Sequence, residues 1–364
     1  MTIQWISEVD QPQTSLLYRS IDSSDWMEVS GHTYKFPQTL TYLIHQVELL
    51  SLKPDSQYLF KFVNSSKCYC FKTMPCHLNS AITFVIGGDL YHDKQDDLVT
   101  TCKQAALLSP SFAVLGGDIA YAGSSHPLKK QSVERWITWA RCWHREMVTP
   151  RGCLIPVVAA IGNHDVSGGF YQSPAQARIF SALFPMPGKQ IYNVLDFSNY
   201  LSILLLDSGH ANAVEGKQSS WIKNELSKRH SITHRFAVYH VPAYPSVRPY
   251  SEELSQKIRK NWVPCFETGG ISTVFEHHDH AYKRTYLLQG NQIDPKGILY
   301  LGDGAWGVKK SRAPINSRRK RPYLAKFLAQ KHFIAVTLKQ DSQVFRAISC
   351  QGEVLDYYFR KIQR

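Results

Sequence analysis

The 364-residue chain nowhere strings together the ~18 apolar residues that a bilayer-spanning helix requires. It has no repeat of fixed period and no low-complexity linker. Its opening, MTIQWISEVDQPQTS, has neither a basic n-region nor an apolar h-region, so no signal peptide is expected within it. The compartment stays open, because MTIQW reads as a β strand with nothing ahead of it. None of the eight cysteines (Cys68, Cys70, Cys76, Cys102, Cys142, Cys153, Cys265 and Cys350) stands in a CxxC pair. A disulfide framework belongs more often to a smaller domain, so most of these are expected as free, buried thiols. Their even number leaves an oxidised form open. Acidic residues are the scarcer charge, 29 against 42 basic ones, for a formal net charge of +13. Such a surface prefers anionic ligands. No nucleic-acid recognition motif is present, so a phosphate ester is the expected partner; oligomeric state is not legible.

What is present is enough apolar residues, 43% of the chain, to build a sizeable core and two domains. Two styles of sequence meet near residue 77. Before it stand TIQWI, SLLYRS, YLIHQVEL, SQYLFKF and CYCFKT, short runs rich in β-branched and aromatic residues, punctuated by Pro, Asp, Ser and Asn. Ile44, Gln46 and Glu48 alternate with His45, Val47 and Leu49, as in a strand with two unlike faces. Residues 1–77 therefore read as a small antiparallel β sandwich.

From residue 80 to 364 the reading is α/β. Continuous apolar runs at 82–86, 112–115, 156–161, 201–206, 236–239, 272–275 and 297–301 suit strands buried on both faces. Between them, 131–147 spaces Trp136, Trp139, Trp143 and Met147 along one face of a helix, and 218–230 does the same with Trp221, Ile222 and Leu226.

Polar, metal-capable residues follow five of these runs. They are Asp89 in GGD, Asp118 and Tyr121 in GGDIAY, Asn163, His164 and Asp165 in GNHD, His240, and His278 with His280 in EHHDH. Open α/β sheets carry their sites at that edge. Singly, such an Asp is a helix cap and such a His a satisfied core residue. Together, carboxylates, an amide oxygen, a phenolic oxygen and imidazoles form the donor set of a site for two hard or borderline cations.

The ordered set GGD, GDIAY, GNHD, His240 and HDH resembles the metallophosphoesterase family, and Tyr121 with HHDHAYKRT resembles its purple acid phosphatase branch. LLLDSG before QSSWIKNEL, and LGDGAWG, are similar to further family features. The N-terminal β region resembles the fibronectin type III-like domain of many members. The resemblance implies an α/β four-layer sandwich, two mixed β-sheets flanked by helices, behind a small all-β sandwich. It implies a first metal on Asp89, Asp118, Tyr121 and His280, and a second on Asn163, His240 and His278, with Asp118 shared. Fe3+ is implied at the first site and Fe2+, Zn2+ or Mn2+ at the second. The expected reaction is hydrolysis of phosphomonoesters by in-line attack of a metal-bound hydroxide. His164 would be acid or transition-state stabiliser, with Asp165 orienting it. Asn163, His164 and Arg248 are expected to contact substrate, Arg248 through its forked donors. Phosphodiester or phospholipid hydrolysis, or a non-catalytic binding role, are the alternatives.

Three positions depart from the family pattern. Tyr91, followed by His92, stands where Gly is usual. Glu276 and His277 replace a small residue and a Gly. Arg248 lies where plant-like members have a histidine pair. Asp279 is expected to turn away from the metals, with Tyr282 and Arg284 bracing its loop. The basic run 309–321 reads as a solvated loop, or as one near the site mouth.

Overall fold

The computed structural model of the protein describes residues 1–9, 14–63, 65–186, 190–302, 304–313 and 321–362. The N-terminal strands form two antiparallel sheets. Thr2–Glu8, Tyr42–Glu48 and His32–Lys35 make one; Met27–Ser30, Ser15–Ser20, Gln57–Phe62 and Tyr69–Lys72 make the other. Leu16, Val47, Leu49, Tyr58, Phe60 and Phe71 are the buried residues of their core. The alternation read in the strand Tyr42–Glu48 has a consequence. Val47 faces that core, whereas Ile44, on the opposite face, is buried with Phe36 in the core of the following region.

All seven apolar runs are strands, divided between two mixed sheets. Val157–Ala160, Ala113–Gly116 and Ile82–Gly87 are adjacent and parallel, continued by the antiparallel strands His332–Lys339, Ser342–Ser349 and Val354–Lys361. Leu201–Leu205, His234–Val238, Thr273–Glu276 and Leu299–Gly302 are parallel neighbours in a seven-stranded sheet. The apolar residues of these sheets sort by side. Phe84, Ile86 and Val114 of one pack with Ile203, Phe236, Val238 and Phe275 of the other. The alternate residues Val85 and Leu115 pack with the helices Gln95–Leu107 and Val133–Glu146. Leu204, Ala237 and Val274 pack with Lys217–Ser227, Glu253–Asn261 and Val263–Thr268. Trp136, Trp139, Trp143 and Met147 are all buried, as their spacing requires.

The cysteine expectation needs one correction. Cys70 and Cys153 form a disulfide, joining the last N-terminal strand to the segment before Val157–Ala160. The backbone alongside is paired too, Leu154 N–H donating to Cys70 O at 2.7 Å. The other six are free, and Cys68 and Cys76 among them are exposed rather than buried. A cleft of about 1820 Å³ runs along the same seam, lined by Trp5, Phe62, Tyr69, Trp139 and Trp143, and by none of the metal-capable residues.

Candidate metal centre

Five parallel strands from the two sheets end on the expected residues. The loops after Ile82–Gly87 and Ala113–Gly116 stay paired beyond the strands, with Asp89 N–H donating to Gly117 O at 2.9 Å and Leu90 N–H to Asp118 O at 3.0 Å. Across the other sheet, His277 N–H donates to His240 O at 2.9 Å. Asp89, Asp118, Tyr121, His278 and His280 all adopt positive φ, between 49° and 75°. Left-handed backbone in residues other than Gly costs of order 1 kcal/mol or more each, and concentrates where function holds it. In a left-handed turn the side chain swings off the strand direction, and here five of them swing toward one another.

Asp89 Oδ1 accepts the Tyr121 hydroxyl at 2.8 Å and lies 2.9 Å from His280 Nε2, itself 3.1 Å from the hydroxyl. Asp89 Oδ2 accepts His278 N–H at 3.0 Å. Gly304 closes over this carboxylate: a Cβ there would stand 1.7 Å from Asp89 Oδ2, which explains the glycine of the LGDGAWG segment. The second group adjoins the first. Asp118 Oδ2 lies 3.2 Å from His240 Nε2, which lies 3.1 Å from His278 Nδ1. One donor atom from each of Asp118, His240 and His278 lies within 4.8 Å of the others, a span that a single cation can bridge. Asn163 is 9% exposed and its Oδ1 has no hydrogen-bond partner. An orphaned buried amide oxygen costs about 1–3 kcal/mol, and a cation at the site would satisfy it. The residues present fit two metal ions.

The electrostatics agree. Burial alone would raise the Asp118 pKa, but the His240 and His164 imidazoles outweigh it and hold the carboxyl well below its usual range. Burial likewise disfavours the His240 imidazolium, yet Asp118 and Asp89 overcome it and lift His240 to about 9. The Tyr121 phenol is pushed well above its ordinary value by burial and by the charges of Asp89 and Asp118. A cation bound here would have to displace protons from His240 and Tyr121.

His164 N–H donates to Asp118 Oδ1 at 2.7 Å, and its ring stacks on Tyr121 at 4.6 Å between centroids. Its Nδ1 lies 3.1 Å from Gly123 O, which fixes that nitrogen as the protonated one and frees Nε2. Asp165 does not orient this ring. Its carboxylate accepts the backbone N–H groups of Asp118, Ile119 and Gly162 at 2.8, 2.9 and 2.9 Å, so it shapes the two ligand loops. Arg248 is also turned from its expected place: Nη1 donates to Asp279 Oδ1 at 2.8 Å and to His278 O at 2.6 Å. Asp279 points away from the ligands and accepts the N–H groups of Ser246 and Val247. Tyr282 and Arg284 brace the loop through one carboxylate, Asp356.

Two side chains at the site were noted in the sequence only as part of a departure and of the basic run, without a role of their own. His92 sets its ring edge-on to Tyr121 and His280, at 4.7 and 5.5 Å between centroids. The available signal was spacing: His92 follows Asp89 by three, as Tyr121 follows Asp118. Arg312, from the basic run, donates its N–H to His280 O at 2.9 Å and brings Nη1 to 3.5 Å from His278 O. Part of that run therefore borders the ligands; its residues 314–320 lie outside the described ones.

Comparison with known proteins follows the same outline. The chain is 25% identical over 323 residues to purple acid phosphatase 15 of Arabidopsis thaliana, covering 79% of this chain and 59% of that protein. It is 24% identical to purple acid phosphatase 21 of the same plant, covering 81% and 67%. It thus spans about three-fifths to two-thirds of these relatives. Its fold is similar to that of the purple acid phosphatase PPD1 from yellow lupin (Lupinus luteus) seeds, with a TM-score of 0.77 at 16% identity over 99% of this chain and 72% of that one. It also resembles PhoD, with a TM-score of 0.67 at 11% identity over 96% and 82%. Purple acid phosphatases imply a dinuclear metal centre, for which the residues above are the candidate. The model of the calcineurin-like phosphoesterases matches residues 82–282, more than half of the chain, and the protein belongs to that family.

Proposed function

We propose that the chain is a purple acid phosphatase-like enzyme that hydrolyses phosphomonoesters through two metal ions. Asp89, Asp118, Tyr121 and His280 would hold the first ion and Asn163, His240 and His278 the second, with Asp118 between them. A hard, anionic phenolate favours Fe3+ at the first; Fe2+, Zn2+ or Mn2+ fits the second. The reading divides the chain into a fibronectin type III-like sandwich at 1–77 and a catalytic domain at 80–364, the latter a helix–sheet–sheet–helix stack. The observation that supports it is the contact network of Asp89, Tyr121 and His280 and of Asp118, His240 and His278, five of the six on left-handed backbone, together with the buried, unpartnered amide oxygen of Asn163.

When bound, two such ions lower the pKa of a water and draw in phosphoryl oxygens. The remaining work belongs to the chain. The Tyr121 hydroxyl donates to Asp89, and it would have to release that proton to solvent to serve as an anionic metal donor. With Nδ1–H held by Gly123 O, His164 would need a second proton on Nε2, and as the imidazolium it could protonate the leaving oxygen or donate to a phosphoryl oxygen. Its stacking on Tyr121 fixes the angle of that approach. Asp165 acts one step back, holding Asp118 through three backbone N–H groups.

The test is metal analysis of the purified protein, with turnover of an aryl phosphate and a bis-aryl phosphate from acid to neutral pH. Two metals per chain, preference for the monoester and a visible absorption band lost in Tyr121→Phe are the expected results. Preference for the diester would move the assignment to a phosphodiesterase. A folded protein with neither metal nor turnover would leave the fold in a binding role.

A further inference from the structure

Two guanidinium groups meet on one side of the metal-capable cluster. Arg248 Nη1 lies 2.6 Å and Arg312 Nη1 3.5 Å from the same acceptor, the carbonyl oxygen of His278. One carboxylate stands beside them. Asp279, fully buried, takes an ion pair from Arg248 at 2.8 Å and also accepts backbone N–H groups from Ser246 and Val247. Arg312 forms no ion pair with a carboxylate among the described residues. Burial and the neighbouring Arg248 disfavour its charge, and Asp89 and Asp279 favour it without an ion pair. A partly buried cation beside a like charge, without a carboxylate of its own, is costly to keep. The arrangement makes sense when an anion arrives at the cluster and supplies the missing charge.

We infer that Arg312 recognises substrate, donating to a non-bridging oxygen of the phosphoryl group, with Arg248 and Asp279 as the fixed wall that aims it. The inference rests on the phosphoesterase reading and sharpens it by giving a source for monoester selectivity. A phosphomonoester dianion carries three terminal oxygens and a second negative charge; a diester has two such oxygens and a single charge. A guanidinium poised beside the metal ligands gains most from the extra oxygen. Arg312 takes this role because Arg248 is held in an ion pair with Asp279, whereas Arg312 Nη1 meets its acceptor only at 3.5 Å.

The experiment uses the full chain with its metals, as Arg312→Ala and Arg312→Lys. Inorganic phosphate binding is measured by calorimetry, and KM and kcat for an aryl phosphate and a bis-aryl phosphate. Loss of one charge-assisted donor corresponds to roughly a 10-fold or greater change in affinity. Arg312→Ala should weaken phosphate binding and raise the monoester KM by about that factor, with the diester KM changed less than about two-fold. Arg312→Lys should recover part of the loss. Unchanged phosphate affinity, or equal losses with both esters, overturns the inference. Turnover of neither ester by the parent protein overturns the phosphoesterase reading instead. The calorimetric comparison still decides the role of Arg312 in that event.

Discussion

Asp165→Asn tests how the ligand loops are held. The carboxylate accepts Asp118 N–H and Gly162 N–H on Oδ2 and Ile119 N–H on Oδ1, and it is fully buried. A carboxamide has the same shape but one accepting oxygen. Placed toward Asp118 and Gly162, that oxygen keeps two bonds, while the amide nitrogen meets Ile119 N–H donor against donor. Each hydrogen bond to a charged group contributes about 1.5–3 kcal/mol, and a buried donor left unpaired costs about 1–3 kcal/mol. Against this, burial and the Asp118 charge push the Asp165 pKa up to about 7, so the anion is itself expensive to hold. The net expectation is a loss of about 2–4 kcal/mol. Urea unfolding, with an unchanged m-value, reads it directly. Because Asp118 is the residue being positioned, metal affinity should fall about 10–100-fold. An Asn variant within about 0.5 kcal/mol of the parent, with full metal content, would refute the reasoning. If that stable, metal-loaded variant also lost turnover, Asp165 would act on the reaction itself.

Three further outcomes are expected. Lys283 and Glu276 form a fully buried ion pair, so Lys283→Met should destabilise by about 3–5 kcal/mol, and adding Glu276→Gln should recover part of it; additive losses in urea would show the pair uncoupled. The Cys70–Cys153 disulfide closes a sequence separation of 83 residues, for which chain entropy allows about 4–5 kcal/mol and typical measurements 2–4; Cys153→Ser should show a loss in that range, matched by the reduced parent, and identical urea curves would remove the bond from the stability account. Burial depresses the His234 pKa from 6.5 to about 4. The unfolded chain therefore takes up the proton first, and His234 contributes stability that is fully present above about pH 6.5 and lost as pH falls toward 4, at most about 3 kcal/mol. His234→Gln should flatten the stability profile in that window, and an unchanged slope would exclude His234 as its source.

What was legible depended on how local the signal was. The seven apolar runs and the Trp-rich helix declare themselves because burial on both faces, or along one stripe, forces a continuous or periodic pattern. Met27–Ser30 and His32–Lys35 do not: nearly all their residues are exposed, so no alternation is imposed. Helix Glu253–Asn261 is short and half-charged and carried no expectation. The ligand residues were legible because each follows its own strand by two to five positions. The partners of Asp165 and Arg248 were not, since each is chosen by a loop from elsewhere in the chain. The Cys70–Cys153 bond is the same case, for spacing says nothing about which sulfurs the fold brings together.

Tyr91, Glu276 and His277, which depart from the family pattern, are each answered by residues outside the ligand set. Tyr91 lies beneath the Arg135 guanidinium, 4.3 Å from its ring, and its carbonyl accepts from the same side chain. It packs against the helical core and does not enter the metal cluster. Glu276, in place of a small residue, takes Lys283 as its counter-ion and accepts Tyr239 OH at 2.7 Å and Ala243 N–H at 2.6 Å. The pair thereby pins the loop after His240. His277 fills the space that Gly88 and Gly116 leave: a Cβ on Gly116 would stand 1.8 Å from its Nε2. Burial depresses its pKa to about 3, and neither ring nitrogen has a hydrogen-bond partner among the described residues, so the neutral ring acts by its volume, as a wedge between the loops bearing Asp89 and Asp118. A large side chain in place of a glycine should displace His278, the next residue, from the cluster. It does not, because the missing volume was already provided at the ends of two other strands, by Gly88 just past one and Gly116 closing the other. The ligand set is thus insulated from its own sequence context, with compensation spread over residues up to about 190 positions away.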